Sequence, residues 1–151
     1  MKQIYYLEDD WYYAAEIPLR LQRLALERGD RWVIEAVANE QEFNSLLLRV
    51  KNGEKPFPSL FLIDIMVSVA PLGEDEEAGD ETQAPYDRTG LRCASRAAEL
   101  FDEVPLVAFS IVDEDDAGKE IEDSGLKDRL VFVPKGRDIQ QERRGHYHTG
   151  L

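Results

Sequence analysis

Five short apolar runs, separated by stretches with helical spacing, constrain this chain more than any other feature. Ile4-Tyr5-Tyr6-Leu7, Trp32–Val37, Leu60–Ile63, Val104–Ser110 and Leu130–Val133 read as strands. After the first, Ile17, Leu21, Leu24 and Ala25 share one helical face, with Asp10 placed to cap the helix and Gly29-Asp30 to stop it. Pro18 is an awkward resident there, because a proline inside a helix removes a hydrogen bond. After the second, Phe43, Leu46, Leu47 and Val50 repeat at i, i+3, i+4 and i+7. The loop Lys51–Pro58 leads into the third run. Leu91, Ala94, Ala98 and Phe101 mark a third helix, and a weakly amphipathic stretch around Ala117–Glu122 reads as a fourth. Strand-helix alternation of this kind predicts an α/β fold: a doubly wound, five-stranded parallel sheet with helices on both faces. The first, third and fourth runs are apolar at successive positions, as parallel strands buried on both sides require.

With 151 residues, of which 43% are hydrophobic, the chain is one domain's worth of globular protein. No apolar run approaches the roughly 20 residues of a membrane helix, and the N-terminus turns acidic too early for a secretory signal. The lone Cys93 has no internal partner and reads as a small packing residue on the third helix. A cytoplasmic protein without membrane contact is therefore expected. The net charge of −13 argues against direct nucleic acid binding, which rests on Lys and Arg. Part of that charge is local: Glu74-Asp75-Glu76-Glu77 and Asp80-Glu81 carry no balancing base. Residues 137–151 hold few apolar side chains and read as a short last helix or a tail, or as the beginning of more chain past Leu151. His146 and His148 belong to that solvated end.

The third run poses a chemical question. Asp64 ends Leu60-Phe61-Leu62-Ile63, and an ionised carboxylate in an apolar strand is costly unless paired, metal-bound or placed at the strand's end. The plain answer is a strand-ending cap. A larger one follows from topology, because parallel α/β sheets bind ligands outside the carboxyl ends of their strands. Glu8, Asp9 and Asp10 end the first strand, Asp64 the third and Ser110 the fourth, and Lys135 follows the fifth. Crowded carboxylates repel one another, and a divalent cation such as Mg²⁺, which prefers oxygen ligands, relieves that repulsion. An Asp nucleophile, a cation, a Lys and a hydroxyl together suit phosphoryl transfer. No GxGxxG follows the first strand, and no GxxxxGK phosphate loop occurs, so a nucleotide-binding reading lacks its motif.

This pattern resembles the receiver domain of two-component response regulators. The acidic pair matches Glu8 and Asp9, the phospho-acceptor Asp64 within Asp-Ile-Met, the hydroxyl Ser110 and the lysine Lys135. Thr89-Gly90-Leu91 resembles the glycine opening the third helix, and Phe132 the aromatic switch position. The resemblance covers about residues 3–136. It implies a flavodoxin-like receiver fold with strand order 2-1-3-4-5 over residues 1–136. It implies Mg²⁺ on Asp9 and Asp64, with Glu8 acting through water. It further implies that a histidine kinase or phosphotransfer protein phosphorylates Asp64, that Ser110 and Lys135 contact the phosphoryl group, and that Phe132 repacks to signal a downstream protein partner. Turnover would be limited to self-phosphorylation and self-dephosphorylation, and association as a homodimer stays open. The chain departs from the family pattern in three places. Asp64 and Gly90 are 26 positions apart, with residues 68–88 as an acidic insertion; Ser68 stands where the family has proline; and Pro134-Lys135-Gly136 replaces Lys-Pro. A pseudo-receiver, binding proteins without phosphorylation, is the alternative. An aspartyl-nucleophile phosphatase of the haloacid-dehalogenase kind ranks below both, since it wants a second Asp where Met66 stands.

The acidic insertion is either a solvated loop or a partner-docking segment beside Asp64. Deleting residues 72–86 separates the two. A docking segment predicts altered phosphorylation kinetics or partner binding by titration, and unchanged values leave only the solvated loop.

Overall fold

The computed structural model describes residues 1–65, 89–110, 118, 121–136 and 141–142. Its elements are β1 (Lys2–Leu7), α1 (Trp11–Glu27), β2 (Trp32–Val37), α2 (Glu40–Lys51), β3 (Leu60–Ile63), α3 (Thr89–Leu100), β4 (Leu106–Ser110) and β5 (Leu130–Pro134). The strands form one sheet in the order β2-β1-β3-β4-β5, every pairing parallel. This is the fold class read from the sequence, with the strand order that the family resemblance implied. The acidic insertion at 68–88, Met66, half of the 117–122 stretch and most of the 137–151 end lie outside the described residues.

The strand period of two sorts side chains between the faces. Tyr5, Leu7, Phe61, Ile63, Leu106 and Ala108 join α2 and α3 in the larger core cluster. Ile4, Tyr6 and Leu62 join Tyr12, Tyr13 and Ile17 of α1 on the other face. β1 is buried on both faces from Ile4 to Leu7. β4 is not: Leu106, Ala108 and Ser110 are buried, whereas Val107 and Phe109 are half-buried. These two line an apolar recess of about 430 Å³ on the α1 face, with Ile17, Leu21 and Trp32 across from them.

Helix α1 corrects the sequence reading in detail. Asp10 caps it as expected, accepting from the N–H groups of Tyr12 and Tyr13. The helix runs through Pro18 unbroken and ends at Arg28, with Gly29 at φ 76° in the left-handed region. Of the expected apolar ridge, Ile17 and Ala25 are buried and Leu21 is half-buried, but Leu24 is 53% exposed. The first turn adds Tyr12 and Tyr13 to the buried set, at 7% and 4% exposure. Both are core residues, packed with Ile4, Tyr6 and Leu62. Their rings have nowhere else to go, because the Asp10 cap starts the helix directly over the sheet's carboxyl edge. Trp11 stays exposed.

The helix α2 pattern holds without change, with Phe43, Leu46, Leu47 and Val50 all buried. Asn39 caps α2 by accepting from the Glu42 N–H, and the Glu42 carboxylate accepts in return from the Ala38 N–H. Cys93 on α3 is fully buried, and burial pushes its thiol up to about 12, so it is an inert packing group. Helices α2 and α3 are tied by Glu40, whose carboxylate accepts two bonds from Arg92 at 2.7 and 2.8 Å and has Arg96 at 3.6 Å.

Hydrogen bonding from Arg92, with the charges of both arginines, holds the Glu40 carboxyl below its usual range against the opposing effect of burial. A depressed folded-state value means the contribution is present above the unfolded value near 4.5 and is lost as pH falls through the folded one. Glu40→Gln should therefore lower stability near neutral pH by on the order of 1 kcal/mol, since Arg92 is half exposed and its charge is screened. The variant should also show a flatter acid limb. Urea denaturation at pH 7 and pH 4 checks both; equal losses at the two pH values would remove the ion-pair account.

Candidate functional site

Ladder geometry carries the acidic residues to one place. The β1–β3 register pairs Leu7 with Ile63, so Glu8 and Asp64 each stand one residue beyond the same rung. The backbone bonds Glu8 N–H to Val37 O and Asp64 N–H to Leu7 O, both 2.9 Å, hold these residues just past the strands. On the other side, β5 pairs Pro134 with Ser110, and the Lys135 N–H donates to the Ser110 carbonyl at 2.9 Å. Lys135 consequently leaves the sheet at the same edge.

The side chains meet there. Lys135 Nζ lies 2.6 Å from Glu8 Oε1 and 3.2 Å from Asp64 Oδ2. Glu8, Asp64, Lys135 and Ser110 are all buried, and Asp9 is half-buried. Carboxylate oxygens of Glu8, Asp9 and Asp64 lie within 4.8 Å of one another. Three hard oxygen donors at that spacing fit Mg²⁺, which is bound through carboxylates and retained waters. Ser110 is fully buried at the end of β4. Phe132 is half-buried and packs against the larger core cluster, on the α2–α3 face.

One ammonium cannot neutralise this many acids. Burial, and then the charge of Asp64, push the Glu8 carboxyl up to about 9, against the pull of Lys135. Burial opposes the charge on Lys135, but Asp64 and Glu8 outweigh it and hold the ammonium above its ordinary value. The edge is thus a buried electrostatic unit in which two acids share one ammonium.

Two residues in this unit carry no motif. Tyr6 donates its hydroxyl to Glu8 Oε1 at 2.8 Å, and burial followed by the Glu8 charge raises its phenol far above the usual range. Residues two apart on a strand share a face, so this contact was readable from the spacing Tyr6-Leu7-Glu8. Tyr13 places its ring 3.9 Å from Lys135 Nζ. Nothing in the local sequence announces that contact, which joins α1 to the segment after β5.

Gly90 has a steric role at the site. It lies in the first turn of α3, and its N–H donates to the Ile65 carbonyl at 2.8 Å. A Cβ there would overlap the Asp64 carbonyl oxygen and come within 2.6 Å of Ile65 Cα. The glycine lets α3 start against the backbone that bears Asp64.

No family model matches the sequence, and no curated protein matches it. Solved structures do. A response regulator receiver protein from Sinorhizobium medicae superposes with a TM-score of 0.54 at 16% identity, over 93% of this chain and 86% of that one. The receiver domain of the Francisella response regulator 1452 gives 0.51 at 13% identity, over 93% and 89%. The receiver domain of AraT, a response regulator from Geobacillus stearothermophilus, gives 0.51 at 14% identity, over 95% and 88%. The chain has the fold of response regulator receiver domains, as the resemblance implied.

Gly90→Ala sets two effects of opposite sign against each other. Helix propensity alone favours alanine by about 1 kcal/mol. Overlap with the Asp64–Ile65 backbone costs about 1–3 kcal/mol. A net destabilisation in urea denaturation is expected, and a stabilised variant would show that α3 does not press on the Asp64 backbone.

Proposed function

We propose that this chain is a signalling receiver that accepts a phosphoryl group on Asp64 from a histidine kinase or phosphotransfer protein. The observation that carries the reading is Lys135 Nζ within 3.2 Å of Asp64 Oδ2, at an edge where three carboxylates fit a divalent cation. An Asp64 carboxylate oxygen forms the new O–P bond as the N–P bond of the donor phosphohistidine breaks, and the imidazole leaves with the electron pair. Glu8, Asp9 and Asp64 would hold Mg²⁺, which supplies neutralising charge to the phosphoryl oxygens when bound. The Lys135 ammonium is held protonated beside the acceptor and is placed to contact an equatorial phosphoryl oxygen. Ser110, ending the adjacent strand, is the hydroxyl partner in this reading. Phe132 is the side chain that repacks, and its half-buried state leaves it room to do so. The receiver unit is residues 1–136, and the output is a protein partner, since a charge of −13 opposes DNA.

One observation favours a pseudo-receiver instead. Glu8 is already satisfied, with Lys135 and Tyr6 both donating to Oε1 and the Asp10 N–H facing Oε2 at 3.3 Å. A site closed on itself in this way suits a binding module without phosphorylation.

Intact-mass spectrometry after incubation with acetyl phosphate and Mg²⁺ separates the readings. The receiver predicts one phosphoryl adduct, absent from Asp64→Asn and from chelator-treated samples. No adduct from either acetyl phosphate or a phosphohistidine donor, with Mg²⁺ binding also absent by titration, would leave the pseudo-receiver.

A further inference from the structure

We infer that Tyr13 is a positioning residue whose ring clamps the Lys135 ammonium against Glu8 and Asp64. The inference rests on the receiver reading for its consequence, though not for its geometry. Lysine has a flexible four-carbon stem and a point charge, so its placement needs external constraint. Lys135 gets little from its own backbone neighbours, since Gly136, with no side chain, follows it. The constraint comes from across the sheet edge. Tyr13 is 4% exposed, and its ring centroid is 3.9 Å from Lys135 Nζ. The next ring, Phe109, is at 5.7 Å. An ammonium within about 6 Å of a ring face is attracted by the ring quadrupole, and the attraction grows when water is excluded. The Lys135 side chain is 2% exposed, so the pairing is desolvated.

The position of Tyr13 is itself fixed. Asp10 accepts from the Tyr13 N–H as the N-cap of α1, and the Tyr12 and Tyr13 rings meet edge to face with centroids 6.0 Å apart. The segment that caps α1 therefore also presents the ring to Lys135. Glu8 and Asp64 hold the ammonium by charge, and Tyr13 bounds it on another side. Without the ring, the ammonium keeps its carboxylate partners but loses that boundary, and its reach to an equatorial oxygen on Asp64 becomes one arrangement among several.

The test uses Tyr13→Leu, Tyr13→Phe, Lys135→Ala and the double variant Tyr13→Leu/Lys135→Ala in the full chain. Phosphorylation supplies one readout. With acetyl phosphate and Mg²⁺, Tyr13→Leu should slow adduct formation about ten-fold, and Tyr13→Phe should restore the rate because the ring face is kept. In the Lys135→Ala background, Tyr13→Leu should add nothing, since a clamp has no effect without its lysine. A second readout needs no phosphoryl transfer. Ring current shifts the Lys135 ε-methylene protons upfield in NMR spectra of the wild type and Tyr13→Phe, and the shift should vanish in Tyr13→Leu. An unshifted Lys135 methylene in the wild type, or full-rate Tyr13→Leu, would overturn the inference. Equal rate losses from Tyr13→Leu with and without Lys135 would also overturn it, as they mark a general packing defect. If the wild type forms no adduct while the ring-current shift is present, the receiver reading fails and the clamp stands.

Discussion

The ion pair between Lys135 and Glu8, 2.6 Å apart and out of contact with water, is the constraint on which the rest of this structure depends. Removing two charges from water costs several kcal/mol each, and their mutual attraction offsets this only with good geometry and further partners. The partners are present. Tyr6 and the Asp10 N–H serve Glu8, while Asp64 and the Tyr13 ring serve Lys135. Every one of these groups comes from the carboxyl edge of the sheet or from the helix start directly above it. The charged cluster and the packing of α1 are for that reason one object. Tyr13, which helps to bury the helix's first turn, is also the ring that lies over the ammonium.

Such a cluster tolerates little slack in the sheet. The parallel register of β1 on β3 sets Glu8 beside Asp64, and that of β4 on β5 delivers Lys135 past Ser110. A slip of one residue in β1 would turn Glu8 and Tyr6 to the α2–α3 face, into the aliphatic and aromatic core around Leu7 and Phe61. Unpaired carboxylate there would be far more costly than the lost rungs. The burial of Ile4 through Leu7 on both faces guards against that slip, because the faces differ: tyrosine and acid on one, tyrosine and leucine against phenylalanine on the other. Gly90 adds a contact of a different kind. It brings the start of α3 against the Asp64–Ile65 backbone, so the acceptor strand's exit is fixed by shape as well as by hydrogen bonding.

Much of this was legible in the sequence because it depends on local pattern. Strand runs, the α2 stripe at Phe43, Leu46, Leu47 and Val50, and the Asp10 cap are spacing effects within a few residues. The convergence of Glu8, Asp9, Asp64 and Lys135 was legible too, since a parallel sheet places all strand ends at one edge. What escaped was the partition of burial along α1. Leu24 shares a helical face with Ile17, yet it is exposed while Tyr12 and Tyr13 are buried. Periodicity gives a face, and only the helix's placement over the sheet says which residues of that face are covered. The aromatic contact of Tyr13 with Lys135 was illegible for a related reason. It joins positions far apart in sequence on elements with no shared ladder, and neither residue type demands the other.

The cluster's charge imbalance explains why an arrangement so well satisfied is still suited to change state. Glu8 Oε1 accepts from both Lys135 and Tyr6, while Lys135 divides its donors between Glu8 and Asp64. Burial and the Asp64 charge both oppose ionisation of Glu8, and the Lys135 ammonium is what counters them. A core of leucine at this edge would be more stable and would have one arrangement. Two carboxylates on a single ammonium tie its placement to the charge each of them carries. Phe132 and the half-buried β4–β5 side of the sheet lie next to that segment. A change in charge on Asp64 would therefore be felt first at β5, through the lysine that Tyr13 bounds.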